Sequence, residues 1–294
     1  MKTTGELLLS AGDFRLIEGL RLAPRRVNSG RIRGERLTRK KGVSIEFADF
    51  RDYVDGDDVR HLDWNVLARM EAPVIRTYQD EEDIAVHILL DCSKSMEFGE
   101  PAKLGTAKKL ASAIAYIALC GGDAVYLHAI GAAQAASRVQ RGRAQFLKVS
   151  AWLNDQQTAS ERTLHQSMRA FTASKSRSGL VYLFSDCLDA DVAAGVAQVA
   201  AKGHEVSVIQ VLTPEELDPD IEGDLRLIDC EDDSSVEITA TGDAINEYRR
   251  NLSRHCELLA TTCVRYGGRF AQVTNLTDFS DFVKNHLRKG GWVS

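Results

Sequence analysis

The sequence predicts an α/β protein with a mainly parallel sheet that is covered by helices on both faces. Short apolar runs end in an acidic residue, as the run from Ile84 to Leu90 does before Asp91, and a helical pattern follows each run. Strands that are buried on both faces have such continuous apolar sequences. Repeated alternation of strands and helices along a chain is typical of parallel sheets, because helices make the crossover connections.

The elements of this pattern can be placed in order along the chain. Strands are predicted at 84–90, 124–130, 180–184, 205–212 and 270–273, and helices at 103–120, 143–154, 163–174, 192–202 and 279–287. The first of these helices is rich in Ala and Leu and stops at Gly121-Gly122, which is a common way to end a helix. A longer helix is predicted before Gly267, because apolar residues return every three or four positions from Ile245 to Leu259.

The chain is predicted to contain an N-terminal segment and one larger domain. Residues 1–80 form a basic and β-containing segment, with strands indicated by the alternation at 43–47 and by residues 74–78. Residues 81–294 form the α/β domain, which includes an acidic hairpin near 213–241. In the N-terminal segment, Asp57 or Asp58 is predicted to cap a short helical turn.

Composition and charge exclude several classes of protein. With 44% hydrophobic and 27% charged residues, the 294-residue chain can bury a core, and its net charge of −5 disfavours a general nucleic-acid binder. The uncharged run between Lys109 and Asp123 has 13 residues, whereas a membrane span needs about 20. No secretory signal and no C-x-x-C pair is evident, so we expect a cytoplasmic protein with reduced cysteines.

Two stretches of opposite charge stand out. Residues 14–41 contain ten Lys and Arg against two Glu, and residues 215–243 contain twelve Asp and Glu against one Arg. Each stretch is either an ordinary solvated surface or a docking surface for a partner of opposite charge.

The most informative string is Asp91-Cys92-Ser93-Lys94-Ser95, which directly follows the first apolar run. It places one carboxylate and two hydroxyls on a loop that, in an open α/β sheet, lines the ligand crevice. Asp186 follows the apolar run at 180–184 in the same way. Oxygen donors suit a hard cation such as Mg²⁺ or Mn²⁺, which would still accept an incoming carboxylate. The alternative is that Asp91 caps the next helix and the serines fill a loop.

The string Asp91-x-Ser93-x-Ser95 resembles the metal-ion-dependent adhesion site of von Willebrand factor A domains. The resemblance implies a von Willebrand factor A-like fold, and it adds a threonine from a later loop and an aspartate after a later strand. The implied metal ligands are Asp91, Ser93, Ser95, Thr163 and Asp186. Thr158 is the alternative threonine, and Cys187 stands where the family usually has a glycine.

A block upstream of this string carries a narrower resemblance. Residues 50–70 read FRDYVDGDDVRHLDWNVLARM and are similar to the signature of the bacterial "domain of unknown function 58" family, which precedes a von Willebrand A-like domain. The matching positions are Glu46-Phe47, Arg51-x-Tyr53, Gly56-Asp57-Asp58-x-Arg60, Asp63-Trp64 and Ala68-Arg69. The resemblance implies association with MoxR-type AAA+ ATPases, as an adaptor or chaperone component.

We therefore expect a non-enzymatic, metal-dependent protein-interaction module. The alternative is a metal-dependent hydrolase or phosphatase that uses Asp91 and Asp186. A dehalogenase-type phosphoryl-transfer enzyme would need a second aspartate two residues after the first, where Ser93 stands. The sequence contains no P-loop, no G-x-S-x-G elbow and no H-x-x-H pair, so it offers no other recognisable catalytic motif.

Overall fold

A computed structural model describes residues 7–25, 46–55, 57–70, 72–79, 83–131, 139–159, 162–230 and 234–294. Contacts divide the chain into two compact units, Arg33–Asp83 and Met1–Ile32 with Ile84–Ser294, and each unit is described by itself. The segment predicted at 1–80 is therefore shared between the two units. Positions 43–45 of the strand predicted from the alternation at 43–47 lie outside the described residues.

The described helices and strands follow one another in this order. The strands are β1 (Glu46–Asp52), β2 (Val74–Gln79), β3 (Ala85–Asp91), β4 (Ala124–Ile130), β5 (Gln140–Arg141), β6 (Leu180–Ser185), β7 (Glu205–Leu212), β8 (Gly223–Ile228), β9 (Ser235–Ala240) and β10 (Phe270–Thr274). The α-helices are α1 (Ala11–Ile17), α2 (Trp64–Met70), α3 (Lys103–Cys120), α4 (Phe146–Asp155), α5 (Leu164–Ala173), α6 (Val192–Ala201), α7 (Pro214–Leu217), α8 (Gly242–Arg265) and α9 (Phe279–Asp281). Three short 3₁₀ helices (Val59–His61, Lys94–Glu97, Arg143–Gln145) and a π-helix after α9 (Phe282–Arg288) complete the set.

The unit Arg33–Asp83 is built on an antiparallel pair of strands, β1 and β2. Asp58 caps the short 3₁₀ helix that follows, because its carboxylate accepts a hydrogen bond from the Arg60 backbone N–H. Two ion pairs join neighbouring charges of this unit, Arg51 with Asp57 at 2.8 Å and Arg60 with Asp58 at 2.6 Å. The predicted cap at position 57 or 58 is therefore confirmed at Asp58.

The larger unit is an α/β domain around one mainly parallel sheet, as predicted. The strand order is β10-β7-β6-β3-β4-β5, and each pairing is parallel except that of the two-residue edge strand β5. Helices α1, α3 and α4 and the C-terminal helices pack on one face, and α5, α6 and α8 pack on the other. The sequence did not predict α1, α7 or β5.

Burial along the central strands explains this layering. Every residue of β3 is buried, with Ile88 and Leu90 in the core under α3 and Leu89 in the core under α5 and α6. Successive side chains of a strand point to opposite faces, so a continuous apolar run supplies both cores. No helix of the described residues is long and apolar enough to cross a membrane.

The order of the strands creates a topological switch point between β3 and β6. These strands are neighbours, but the chain leaves β3 toward β4 on one side and leaves β6 toward β7 on the other. Open α/β sheets bind ligands at such a switch point, outside the carboxyl ends of the strands. Asp91 is the last residue of β3, and Asp186 follows the last residue of β6. The fold therefore places both aspartates at the edge where ligand sites occur.

The acidic hairpin lies between α7 and α8. Its strands β8 and β9 pair antiparallel from Gly223↔Ala240 to Ile228↔Ser235. Most of its side chains are exposed, and its tip residues 231–233 lie outside the described part of the chain. The hairpin predicted within 213–241 is thus present, with the short helix α7 before it.

Candidate functional site

Asp91 is a buried carboxylate that is held from two sides. The residue is 2% exposed, and its Oδ1 accepts a hydrogen bond of 2.9 Å from the Ser93 backbone N–H. Its Oδ2 accepts a hydrogen bond of 2.5 Å from the Ser185 hydroxyl at the end of β6. Burial, followed by repulsion from Asp186, raises the pKa of Asp91 to about 6. A cation at this carboxylate would favour its ionised form.

The two motif serines place their hydroxyls side by side next to Asp91. Ser93 is 7% exposed and Ser95 is half-buried, and their Oγ atoms are 3.0 Å apart. Ser93 is the N-cap residue of the 3₁₀ helix Lys94–Glu97, yet its side chain makes no capping hydrogen bond. The Ser93 hydroxyl therefore contacts the Ser95 hydroxyl and does not cap the 3₁₀ helix.

Asp186 is paired with a fully buried lysine that the sequence analysis did not single out. Lys103, the first residue of α3, is 0% exposed, and its Nζ lies 2.8 Å from Asp186 Oδ2 and 2.5 Å from Glu216 Oε1. Burial favours the neutral amine, but the two carboxylates outweigh it and the pKa of Lys103 is raised. Gln210 donates a hydrogen bond of 2.9 Å to the Asp186 backbone carbonyl. Asp186 is therefore firmly positioned.

The two candidate threonines have different surroundings. Thr163 is exposed and is the N-cap of α5, where its Oγ1 accepts a hydrogen bond of 3.2 Å from the Gln166 N–H. Thr158 donates its hydroxyl proton to the Glu97 carboxylate. The next residue, Ala159, donates its backbone N–H to the Cys92 carbonyl at 2.7 Å. The segment with Thr158 is thus hydrogen-bonded to the Asp91 loop, whereas the recorded contacts of Thr163 are those of a helix cap.

The site carries an excess of negative charge. Asp91, Asp186 and Glu216 with Lys103 leave two negative charges in excess when all four groups are ionised. Buried charge without a counter-charge is costly, and Mg²⁺ or Mn²⁺ would neutralise it through oxygen ligands. Within the described residues, no three or more His, Cys, Asp or Glu are grouped to hold a metal. A cation here would therefore depend on the serine hydroxyls.

The cysteines beside the site are buried. Cys92 and Cys187 are fully buried, and burial raises the pKa of Cys92 to about 12 and that of Cys187 well above its ordinary value. Cys187 adopts a φ of 53°, in the left-handed region that glycine favours. The His255 side chain holds the Cys187 carbonyl at 2.6 Å. This backbone conformation explains why a glycine would also be favoured at position 187.

Fold and site together define a class: a mainly parallel α/β domain with a buried acidic and hydroxyl-bearing site at its switch point. The family described as "Protein of unknown function DUF58" matches residues 49–257. That match spans more than half of the chain, and the chain belongs to this family. The resemblance of residues 50–70 to the "domain of unknown function 58" family is therefore confirmed.

Relatives of similar length occur in mycobacteria. The uncharacterized proteins Rv1480 of Mycobacterium tuberculosis and Mb1516 of Mycobacterium bovis are each 28% identical in an alignment of 250 residues that covers 83% of this chain and 78% of the relative. Two solved structures align at 18% identity. One is the conserved hypothetical protein BatB from Bacteroides thetaiotaomicron, with a TM-score of 0.42 over 71% of this chain and 98% of BatB. The other is an aerotolerance-related membrane protein from Bacteroides fragilis, with a TM-score of 0.41 over 70% of this chain and 99% of that chain.

Proposed function

We propose that this chain is a non-enzymatic, metal-dependent protein-interaction module with a von Willebrand factor A-like domain, working in the cytoplasm. Mg²⁺ or Mn²⁺ would be held by Asp91, Ser93, Ser95 and Asp186, with Thr163 or Thr158 as the threonine. The bound cation would supply an open coordination position for a carboxylate of the partner. The partner we propose, on the family resemblance, is a MoxR-type AAA+ ATPase.

The observation that supports this proposal most is the arrangement around Asp91. Its carboxylate is buried at the switch point beside two neighbouring hydroxyls, and a second carboxylate is close enough to raise its pKa. Such a set of neutral and negative oxygens suits a hard cation and leaves much of the charge of the cation uncompensated. A carboxylate of the partner would complete the coordination of the cation.

Two exposed apolar side chains flank this site and extend the surface that a partner would meet. Phe98 is 52% exposed, and the Nζ of Lys103 lies 6.0 Å from the centre of its ring. Leu188 is 42% exposed, two residues after Asp186. A carboxylate next to apolar side chains on the partner would therefore contact both the cation and this rim. Interfaces commonly combine an apolar area with a few polar anchors in this way.

The proposal is tested by measuring association with a MoxR-type AAA+ ATPase from the same organism by titration calorimetry. We compare wild type and Asp91→Ala, each with Mg²⁺ and with a chelator, and use Asp155→Ala on the exposed end of α4 as the control. Association is expected only for wild type and the control, and only with Mg²⁺. Equal affinities in all conditions would contradict the proposal. Mg²⁺-dependent hydrolysis of p-nitrophenyl phosphate that is lost in Asp91→Ala would instead establish the hydrolase alternative.

A further inference from the structure

Lys103 occupies a position in the helix where a lysine is normally unfavourable. It is the first residue of α3, where the helix dipole repels a positive charge, and it is fully buried, where desolvation penalises an ammonium. The preceding residue, Ala102, makes no side-chain cap. Contacts with two carboxylates offset these costs, so the reason for a lysine here lies in the site and not in the helix.

The ammonium of Lys103 is shared between two acids that belong to different parts of the domain. Asp186 Oδ2, at 2.8 Å, belongs to the loop after β6, and the Asp186 carboxylate is close enough to Asp91 to raise the pKa of that group. Glu216 Oε1, at 2.5 Å, belongs to α7, which leads into the acidic hairpin. The second oxygen of Glu216 accepts a hydrogen bond of 2.8 Å from the Thr213 N–H. Glu216 is therefore fixed and stays available to the ammonium whatever happens to Asp186.

We propose that Lys103 is a built-in cation that competes with the divalent metal for Asp186, and that Glu216 holds the ammonium when the metal takes its place. This inference rests on the proposed metal site and adds a residue that sets the affinity of that site. A positive charge next to Asp186 lowers the attraction of the site for a second cation. Metal binding would therefore be weak and reversible, as suits a contact that must form and release.

The test measures Mn²⁺ binding directly, by electron paramagnetic resonance of the free ion, and thermal stability with and without Mn²⁺. Lys103→Met removes the competing charge, and we expect Mn²⁺ to bind roughly tenfold more tightly or better. The variant should melt at a lower temperature than wild type without metal and regain most of that loss with saturating Mn²⁺. Lys109→Met is the control, because Lys109 lies on the same helix but pairs with Asp13 at 3.1 Å.

Glu216→Gln tests the same competition if Lys103→Met does not fold. Glu216→Gln leaves the ammonium to Asp186 alone, so Mn²⁺ should bind more weakly than to wild type. A lysine with a structural role only would destabilise the chain equally with and without Mn²⁺ when replaced, and would leave Mn²⁺ affinity unchanged in both variants.

Mn²⁺ binding by wild type and by the two variants distinguishes competition by Lys103 from the presence of the metal site. Tighter binding by Lys103→Met or weaker binding by Glu216→Gln supports the competition. If wild type binds Mn²⁺ and both variants bind it equally well, the inference is overturned while the proposed function stands. If wild type binds none and Lys103→Met does, the inference holds and the proposed function fails for the native chain. If neither binds Mn²⁺, both are overturned.

Discussion

The hydroxyl of Ser185 donates a hydrogen bond to the carboxylate of Asp91, with 2.5 Å between Oγ and Oδ2. Ser185 ends β6 and Asp91 ends β3, so this bond joins the two strands at the switch point. The same Ser185 Oγ accepts a hydrogen bond of 2.9 Å from the Cys187 N–H. One side chain therefore sets both the orientation of Asp91 and the path of the loop that carries Asp186.

Replacing this serine should damage the site more than the fold. Ser185→Ala removes the bond to Asp91 and leaves the Cys187 N–H without its acceptor, at a cost of about 1–3 kcal/mol in the free energy of unfolding. Mn²⁺ affinity should fall as well, because Asp91 loses a donor that favours its ionised form. Chemical denaturation and Mn²⁺ titration measure the two effects.

Ser112→Ala is a matched control for this substitution. Ser112 is also fully buried, and its Oγ makes no hydrogen bond within the described residues. Its replacement should therefore change stability by less than about 1 kcal/mol and leave Mn²⁺ affinity unchanged. Equal losses for Ser112→Ala and Ser185→Ala would show that the bond to Asp91 has no special role.

The stability of the metal-free chain should depend on the charge of Asp91. Its folded pKa of about 6 lies above the ordinary value of 3.8, so the folded state binds the proton more tightly and loses stability as pH rises through this window. Asp91→Asn removes a penalty of about 2–3 kcal/mol above pH 6 and little at pH 4. In chelator, the variant should therefore be more stable than wild type at pH 8 and similar at pH 4.

Addition of Mg²⁺ should reverse this order at pH 8, because only wild type gains stability from binding the ion. Denaturant titrations at both pH values measure the difference, and Asp155→Asn serves as an exposed control. A variant that is less stable than wild type at pH 8 without metal would show that Asp91 is already fully stabilised by its hydrogen bonds.

A cluster of two buried histidines, His87 and His204, and the half-buried His128 should make the domain sensitive to acid. The imidazoles of His87, His128 and His204 pack around the ring of Phe171 on α5, with ring centres 5.1–5.4 Å from it. Burial, followed by repulsion from His87, lowers the pKa of both His128 and His204 to about 4. The charged forms are therefore disfavoured in the folded state.

Because the pKa values of these histidines are lowered in the folded state, acid should reduce the stability of the domain. The unfolded chain takes up protons near pH 6.5 and the folded chain only near pH 4, so stability falls as pH drops between these values, by roughly 3 kcal/mol for His128 alone. His128→Phe should reduce the slope of stability against pH in this window. Identical slopes for wild type and His128→Phe would exclude His128 as a contributor.

The acidic hairpin is the surface for which we predict salt-dependent binding. Leu227 and Val236 form a cross-strand pair and are 48% and 61% exposed, within a stretch of strong negative charge. If the hairpin contacts the AAA+ partner, Val236→Ser should weaken association without changing stability. Val264→Ser on α8, at 60% exposure, is the matched control and should have no effect.

Association through this surface should also weaken as salt rises from low concentration to about 0.5 M, because exposed charges are screened over a Debye length of roughly 10 Å at 0.1 M. The measurement is the dissociation constant for the AAA+ partner across the salt series. An affinity that stays constant over this range, together with equal binding by Val236→Ser, would leave the hairpin as ordinary solvated surface.

The sequence predicted the sheet well because its strands are buried on both faces. The continuous apolar runs and the Gly121-Gly122 stop placed β3, α3 and β4 within a residue of their observed bounds. The edge strand β5 was missed because two paired residues, Gln140 and Arg141, leave no periodicity to detect.

The candidate site was predicted only in part, because two of its charged residues carry no signal of burial in the sequence. The carboxyl ends of β3 and β6 identify Asp91 and Asp186, since parallel neighbours bring these ends together. Lys103 and Glu216 were missed because a lysine and a glutamate near helix starts usually point to solvent. The signal available for Lys103 was its place at the start of an apolar helix without a capping side chain.

The central claim, that a divalent cation is held beside Asp91 and the motif serines, is tested most directly by crystals of the chain soaked in Mn²⁺. An anomalous difference map should show one peak about 2.0–2.2 Å from an Asp91 carboxylate oxygen and from the Ser93 and Ser95 hydroxyls. The same soak of Asp91→Ala crystals should show no peak there. A wild-type map without a peak at this edge of the sheet, or one that persists unchanged in Asp91→Ala, would contradict the claim.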